Sequence, residues 1–303
     1  MRLFYYQRGD RQPNFGDELN PWLWPQLRPD LFGQDAQDES ATVFVGTGTL
    51  LNNKLPARVG PDSRLIVFST GAGYEQPLQQ IPDSWQICCV RGPLSAQRLG
   101  LPPEKAITDG GLLIAKVFAP PAAQQGCSFM PHIHSASPAA ESWQRICQQA
   151  DVRYIDPRWP IEQVLQAIGS SQRVLAEAMH GAIAADALRV PWIPVITTPR
   201  IYSFKWQDWC ASMNLPYRPH RLPPLADYPR WGRGLRSGWV AAQHWAGATV
   251  ENALATAQYG LFADPTAIAR RLSDIAKKRP YLSTDETFKA RLDSLQSCLD
   301  QVS

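Results

Sequence analysis

The sequence predicts an α/β protein in which two lobes, each built on a parallel sheet, face a central cleft. Three observations carry that expectation. Residues 173–200 read as strand, tight turn, helix and strand; apolar strands with glycine-rich tips recur through the first 90 residues; and a Pro/Ala/Gln-rich stretch at 120–126 separates two such runs. With 303 residues and 44% hydrophobic content, the chain has enough length and apolar surface for two cores. The expected division is a first lobe at 1–121 and a second at 122–303 that includes C-terminal helices.

Residues 2–6 form the first apolar strand. It runs into a polar turn, Asn14, Phe15, Gly16 and Asp17, with a helix start behind it. Asn14 and Asp17 either cap that helix or meet a ligand's hydroxyl or phosphate. Residues 41–45, 65–69 and 85–90 repeat the strand pattern, and their tips carry Gly46 and Gly48, Gly71 and Gly73, and Arg91 with Gly92. The Gly-x-Gly at 46–48 lacks the third glycine of a dinucleotide fingerprint. Pro93 suits the first position of a helix that Gly100 ends. Residues 107–111 read as one more strand end, closing on the carboxylate of Asp109.

The second lobe restarts the pattern with a strand at 127–132, then a helix at 141–150, a strand at 152–155 and a helix at 160–168. Val174, Leu175 and Ala176 follow as a buried strand, residues 177–188 as a helix, and residues 190–196 as the next strand. Strand, helix, strand in this order implies parallel pairing. The turn between them carries Glu177 and His180 at a helix N-terminus, where free N–H groups and the positive dipole end favour an anion. Residues 199–206 read as a loop rich in cations and aromatics, Arg200 and Lys205 among them, ahead of a helix at 208–213. Residues 219–229 are proline-rich and irregular. Helices are expected at 238–259, after Asp264 with Ile268, Leu272 and Ile275 on one face, and after a capping box of Ser283 and Glu286. The last helices are scaffold, or a strap across both lobes.

Composition excludes several classes. A net charge of +3 without long basic runs argues against nucleic acid as a partner. The 6 cysteines have no metal-ligand spacing, and neighbours on a strand such as Cys88 and Cys89 point to opposite faces, so reduced, buried thiols of a cytosolic protein are expected. His132 and His134 would share a face only on a strand, and no third ligand is spaced to join them, so no metal is expected. The N-terminus turns polar after six residues, unlike a signal peptide, and no stretch has the length and apolarity of a membrane span. A cytoplasmic location follows. The 11 tryptophans, including Trp143, Trp206, Trp209, Trp239 and Trp245, are either sugar-stacking faces or large core residues.

The strand tips bring together Asp17, Arg91 and Asp109 from the first lobe with His132, Glu177, His180, Arg200 and Lys205 from the second. Arg91 and Lys205 offer cations for a phosphate and a carboxylate, and His180 a proton near neutral pH. The stretches NFGDELN at 14–20, GTGTLL at 46–51, VRGPLSAQRLGL at 90–101, ITDGG at 107–111, FMPH at 129–132, AEAMHGAIAADALRVPWIPV at 176–195 and SFKWQDW at 203–209 fall in order over about two hundred residues. In these the chain resembles the polysaccharide pyruvyl transferases, especially the bacterial branch acting on exopolysaccharide repeat units such as those of xanthan and succinoglycan.

The resemblance implies two Rossmann-like lobes in a GT-B-like arrangement. It also implies transfer of the enolpyruvyl group of phosphoenolpyruvate to a sugar, giving a cyclic ketal and phosphate without metal or cofactor. Arg91 matches the arginine that the family sets against phosphoenolpyruvate, and His180 the histidine of its Arg-Leu-His signature. That signature reads Ala178, Met179, His180 here, so the family arginine is missing, and Lys205 or Arg200 is the expected substitute. Asp17 matches the acidic residue of the first-loop motif. The implied roles are therefore His180, Asp17 and Glu177 for proton movement, and Arg91, Lys205, Arg200, Asn14, His132 and Asp109 for binding. The first lobe is the acceptor side with part of the donor site; the second supplies the donor-site loop. The implied partners are phosphoenolpyruvate and a lipid-linked oligosaccharide, with peripheral contact at the inner membrane face. Two alternatives stay open: a nucleotide-sugar glycosyltransferase of GT-B shape, and a non-catalytic sugar-binding subunit of polysaccharide assembly.

Overall fold

A computed structural model describes residues 1–32, 42–60, 62–198, 201–223, 225 and 264–303. The expected helix at 238–259, Trp239, Trp245 and the candidate ligand Arg200 lie outside these residues. Within them the chain is α/β with two parallel sheets. The first runs β1 (Arg2–Phe4), β2 (Val43–Val45), β3 (Leu65–Phe68) and β4 (Trp85–Cys89), side by side in sequence order. Its helices are α1 (Phe15–Leu27), α2 (Leu55–Val59), α3 (Pro93–Arg98) and α4 (Ile114–Val117). The central strands are apolar at every position and fully buried, as expected for parallel strands covered on both faces.

The second sheet has β5 (Cys127–Met130), β6 (Val152–Tyr154), β7 (Arg173–Ala176), β8 (Trp192–Ile196) and β9 (His220–Arg221), in the spatial order β6-β5-β7-β8-β9. The chain leaves β5 toward one edge to make β6, then crosses back to make β7. The sheet therefore has a reversal point between β5 and β7, where Met130 pairs with Ala176 at the C-terminal ends. Open α/β sheets hold ligands at such a point. Its helices are α5 (Ile133–Ala136), α6 (Ala140–Gln149), α7 (Ile161–Gly169), α8 (Met179–Ala187) and α9 (Ser203–Ser212). Two helices follow, α10 (Pro265–Ala276) and α11 (Asp285–Asp300).

One apolar core is continuous between the two sheets. Phe15, Leu19, Trp24, Phe44 and Phe68 from the first half share it with Met130, Ala176, Met179, Ile183, Trp192 and Trp206 from the second. Apart from His180, Gly181 and Asp186, α8 is made of Ala, Ile and Met, and every residue but His180 is buried, which is why it can sit between the halves. α11 closes the structure as a strap: Leu295 and Leu299 enter that same core, and Arg291 Nε donates to the Ser212 carbonyl at 2.8 Å.

Several expectations change. Residues 107–108 are not a strand; Val90 and Ala106 make an isolated bridge, and Asp109 caps a short 3-10 turn, Gly110–Leu113, through the Gly111 N–H. The last helix is capped by Thr284, not Ser283, because the Ser283 hydroxyl is engaged by Asp186. Trp143, Trp206 and Trp209 are core residues with almost no exposed surface, so the sugar-stacking reading fails for all three. A register shift between Val67 and Phe68 interrupts the alternation at Cys88 and Cys89. All 6 cysteines are free thiols.

Candidate active site

The site is built on the strand tips of both sheets and on three helix starts. α1 begins at the turn after β1: Asn14 occupies the cap position, and its side-chain amide donates to Asp17 Oδ2 at 2.7 Å. Asn20, one turn on, ties α1 to the β2 tip through the Thr47 carbonyl at 3.2 Å, and its Oδ1 accepts from Trp24 Nε1 at 2.9 Å. Gly46 has to be glycine, since a Cβ there would collide with both Trp24 and Asn20. The NFGDELN stretch therefore spends its second asparagine on structure and turns Asp17 toward the site. Burial raises the Asp17 carboxyl above its ordinary range, against the lowering pull of Asn14, His180 and Lys205.

His180 is the second residue of α8. Its ring lies against Gly16 of α1 so closely that a Cβ on Gly16 would overlap Nδ1, and its Cδ2 is 3.8 Å from the Cβ direction of Gly111. Gly16 thus lets an imidazole from the second half enter the first, and Gly111 makes room for Ile183 beside it. Its Nε2 lies 3.7 Å from Asp109 Oδ1, and neither that nitrogen nor Asp109 Oδ2 has a hydrogen-bond partner among the described residues. Asp109 Oδ1 is already held by the Gly111 N–H, so the two unpartnered atoms, His180 Nε2 and Asp109 Oδ2, are polar positions a ligand can complete.

Glu177 is wholly buried at the reversal point. Its Oε2 accepts from the His132 N–H at 3.0 Å, and its Oε1 from the Thr197 N–H at 2.7 Å and the Thr197 hydroxyl at 2.5 Å. One carboxylate thus ties the ends of β5, β7 and β8 together. Burial raises its pKa, with the Thr197 and His132 donors pulling the other way. His132 caps α5, with Nδ1 accepting from the His134 N–H at 3.3 Å, which leaves the proton on Nε2. Burial, then the charge of Lys205, holds its imidazole well below the usual histidine range, so it is neutral at pH 7. His132 and His134 sit on a helix cap and first turn, not on a strand, and the described residues hold no group of three metal-binding side chains.

The two expected cations have different fates. Arg91 is fully buried, and its Nε pairs with Asp208 at 3.1 Å, while Nη1 donates to the Gly48 carbonyl and to Thr49 Oγ1 at 2.8 Å. Its charge is already matched, and only Nη2 lacks a partner. Asp208 also accepts from the Ser95 N–H at 2.9 Å, capping the start of α3 from across the molecule. Lys205 stands in the first turn of α9, not in a loop as the sequence suggested. It is 9% exposed, has no hydrogen bond or carboxylate within ion-pair distance among the described residues, and sets its Nζ 5.6 Å from the centre of the Tyr74 ring. An ammonium with no carboxylate within ion-pair distance can pair with a ligand anion. Asp17 and His132 both feel its charge.

Sequence reasoning named Arg91, Asp109, Asn14, Asp17, His132, Glu177, His180 and Lys205. Asp17, Asp109, His132, His180 and Lys205 come together, Arg91 lies beneath the Gly48–Gly71 tips, and Glu177 sits behind His132. It missed Asp208 and Tyr74; the first is signalled only by its place in SFKWQDW, the second by none of the patterns used.

An acid, an imidazole and a lysine thus meet at the tips of parallel strands in an α/β protein. Comparison with known proteins gives the class. The model of the family described as polysaccharide pyruvyl transferase matches residues 3–199. The chain is also 40% identical over 226 residues to the succinoglycan biosynthesis protein ExoV of Rhizobium meliloti (strain 1021), an alignment covering 74% of this chain and 68% of that protein. The chain belongs to the polysaccharide pyruvyl transferase family. No described helix is long and apolar enough to cross a membrane.

Proposed function

We propose that this transferase moves the enolpyruvyl group of phosphoenolpyruvate onto a sugar of an exopolysaccharide repeat unit, forming a cyclic pyruvate ketal and releasing phosphate. The observation that carries this is Lys205, a largely enclosed side chain with no carboxylate within ion-pair distance among the described residues, beside a histidine and an acid with unpartnered atoms. Lys205 takes the part of the family arginine that Ala178 replaces, and binds the donor's phosphate or carboxylate together with the N-terminus of α8. Arg91 supports the same anion through Nη2 while Asp208 holds the rest of its guanidinium.

His180 gives its Nε2 proton to the methylene carbon of the donor, and the adjoining carbon becomes oxocarbenium-like. One sugar hydroxyl adds to that carbon as Asp17 takes its proton. The carbon–oxygen bond to phosphate breaks, and a second hydroxyl closes the ketal as its proton leaves. One hydroxyl proton replaces the proton His180 gave; the other departs with phosphate. Glu177, with both oxygens occupied, positions His132 and the β8 tip and moves no proton. Holding two hydroxyls beside one carbon uses the advantage of a bound, oriented acceptor. The two sheet modules correspond in this reading to the lobes of a GT-B-like enzyme. The acceptor is lipid-linked, the enzyme works in the cytoplasm at the inner membrane face, and no cofactor takes part.

Calorimetric titration tests the donor. Phosphoenolpyruvate should bind the purified protein, and UDP-glucose and GDP-mannose should not. Binding of a nucleotide sugar with no response to phosphoenolpyruvate would replace this reading with glycosyl transfer.

A further inference from the structure

The loop after β3 carries unusual backbone. Ser69 and Tyr74, neither of them glycine, have φ of 64° and 67°, and Gly73 has 146°. Left-handed conformations cost an ordinary residue on the order of 1–3 kcal/mol and persist only where the surroundings fix them. Here they are fixed. Leu51 N–H donates to the Gly71 carbonyl at 3.1 Å, Asn53 N–H to the Gln76 carbonyl at 3.0 Å, Asn52 Nδ2 to the Gly73 carbonyl at 3.2 Å, and Ala72 N–H to Ser95 Oγ at 2.9 Å. The loop is a rigid mount, and what it mounts is a tyrosine.

Tyr74 is 56% exposed, more than any other large hydrophobic side chain among the described residues. Both ring contacts come from one short segment: Tyr202 stacks on it at 4.9 Å and 30°, and Lys205 Nζ lies 5.6 Å from its centre. Tyr202 is itself held, with its hydroxyl accepting from Arg98 Nη1 at 3.0 Å and its ring against Gly73. With both contacts in place Tyr74 still keeps more than half of its surface exposed, beside the Lys205 cation. A flat, rigid, exposed aromatic is suited to the apolar face of a pyranose, whose hydroxyls point outward from its edge. A glycine would serve this backbone better, so what the position keeps at that cost is the ring.

We infer that Tyr74, backed by Tyr202, is the platform on which a pyranose ring of the acceptor glycoside stacks, its edge toward Lys205. This rests on reading the site as a sugar pyruvyl transferase, so the test measures sugar and donor separately. Saturation-transfer NMR with methyl β-galactoside, methyl β-glucoside and methyl α-mannoside reads the sugar; calorimetry with phosphoenolpyruvate reads the donor. Tyr74→Asn tolerates the left-handed backbone and removes the ring, Tyr74→Gly is a second ring-free variant, and Tyr74→Phe keeps the ring. The wild type and Tyr74→Phe should bind at least one glycoside alike. Both ring-free variants should weaken it roughly fivefold to tenfold, with donor affinity held within about twofold. Unchanged glycoside binding in the ring-free variants overturns the platform, as does a wild type that binds none of the three. A parallel loss of donor and sugar also overturns it, leaving Tyr74 as support for Lys205 alone. A Tyr74-dependent glycoside signal without donor binding keeps the platform and removes the pyruvyl-transfer reading instead.

Discussion

Replacing Lys205 with methionine separates a ligand-binding cation from a structural one. The residue as a whole is 9% exposed, and among the described residues its ammonium has no ion pair or hydrogen bond, only the Tyr74 ring at 5.6 Å. Methionine keeps the length and apolar stem while removing the charge. In the free protein this takes away a charge that has no ion pair, and the lost cation–π contact, worth about 0.5–1 kcal/mol, is offset by the apolar packing of methionine. The melting temperature should therefore stay level or rise. With donor present the balance reverses, because a hydrogen bond from a charged group contributes about 1.5–3 kcal/mol net. Affinity for phosphoenolpyruvate should fall about 10- to 150-fold, at roughly 1.4 kcal/mol per tenfold. Calorimetry and differential scanning fluorimetry on the same preparation give both numbers. A lower melting temperature with unchanged donor affinity would refute the reasoning, since it would make Lys205 a structural cation.

Other perturbations follow from the same geometry. His180→Gln should lower turnover by about 10²–10⁴ with donor affinity nearly intact, and equal losses of both would assign His180 to binding. Gly16→Ala drives a methyl into the His180 imidazole and should abolish turnover while the protein remains folded; wild-type activity would show that the two do not meet as described. Asp208→Ala leaves Arg91 buried without its counter-charge and should destabilise by about 3–5 kcal/mol. At about 2–4 °C per kcal/mol, the melting temperature should drop on the order of 10 °C, and an unchanged value would mean the pair opens to water. The acid side of the pH–stability profile should carry His132, whose pKa is held down by burial and by Lys205. Below about pH 6.5 the unfolded chain takes up a proton that the native imidazole refuses, so stability falls as pH falls. Asp17 and Glu177, with raised pKa values, act in the opposite sense and weaken the fold as pH rises above the ordinary carboxylate range. His132→Asn should flatten the decline between pH 6.5 and 5, and an equally steep decline in the variant would assign it to other groups.

Much of the second sheet was legible because its signals are local. A short apolar run, a turn with an acid and a histidine, and a second apolar run identify β7, α8 and β8 within one or two residues. The tips of the first sheet were legible for the same reason, through their glycines. What the sequence hid is non-local. Asp208 meets Arg91 across 117 residues, and nothing near either one announces that the expected donor cation is already paired. Lys205 read as a loop residue because its neighbours are aromatic and cationic; packing of Trp206 and Trp209 onto Trp192 makes that segment a helix. The tryptophans could be read from sequence as sugar faces or as core, and the burial of Trp143, Trp206 and Trp209 decides for the core. Glu177 was placed correctly at the strand edge, but only the tertiary structure reveals that both its oxygens are taken by His132 and Thr197. Tyr74 carries no sequence signal for its left-handed backbone, which ordinarily belongs to glycine.

Phosphate release from phosphoenolpyruvate, measured with and without lipid- or aryl-linked galactose, glucose and mannose acceptors and followed by mass spectrometry of the sugar, tests the central claim most directly. The account predicts acceptor-dependent phosphate and a product heavier by one pyruvate ketal. Release of phosphate without a modified sugar, or no release with any acceptor while a nucleotide sugar is consumed, would contradict it.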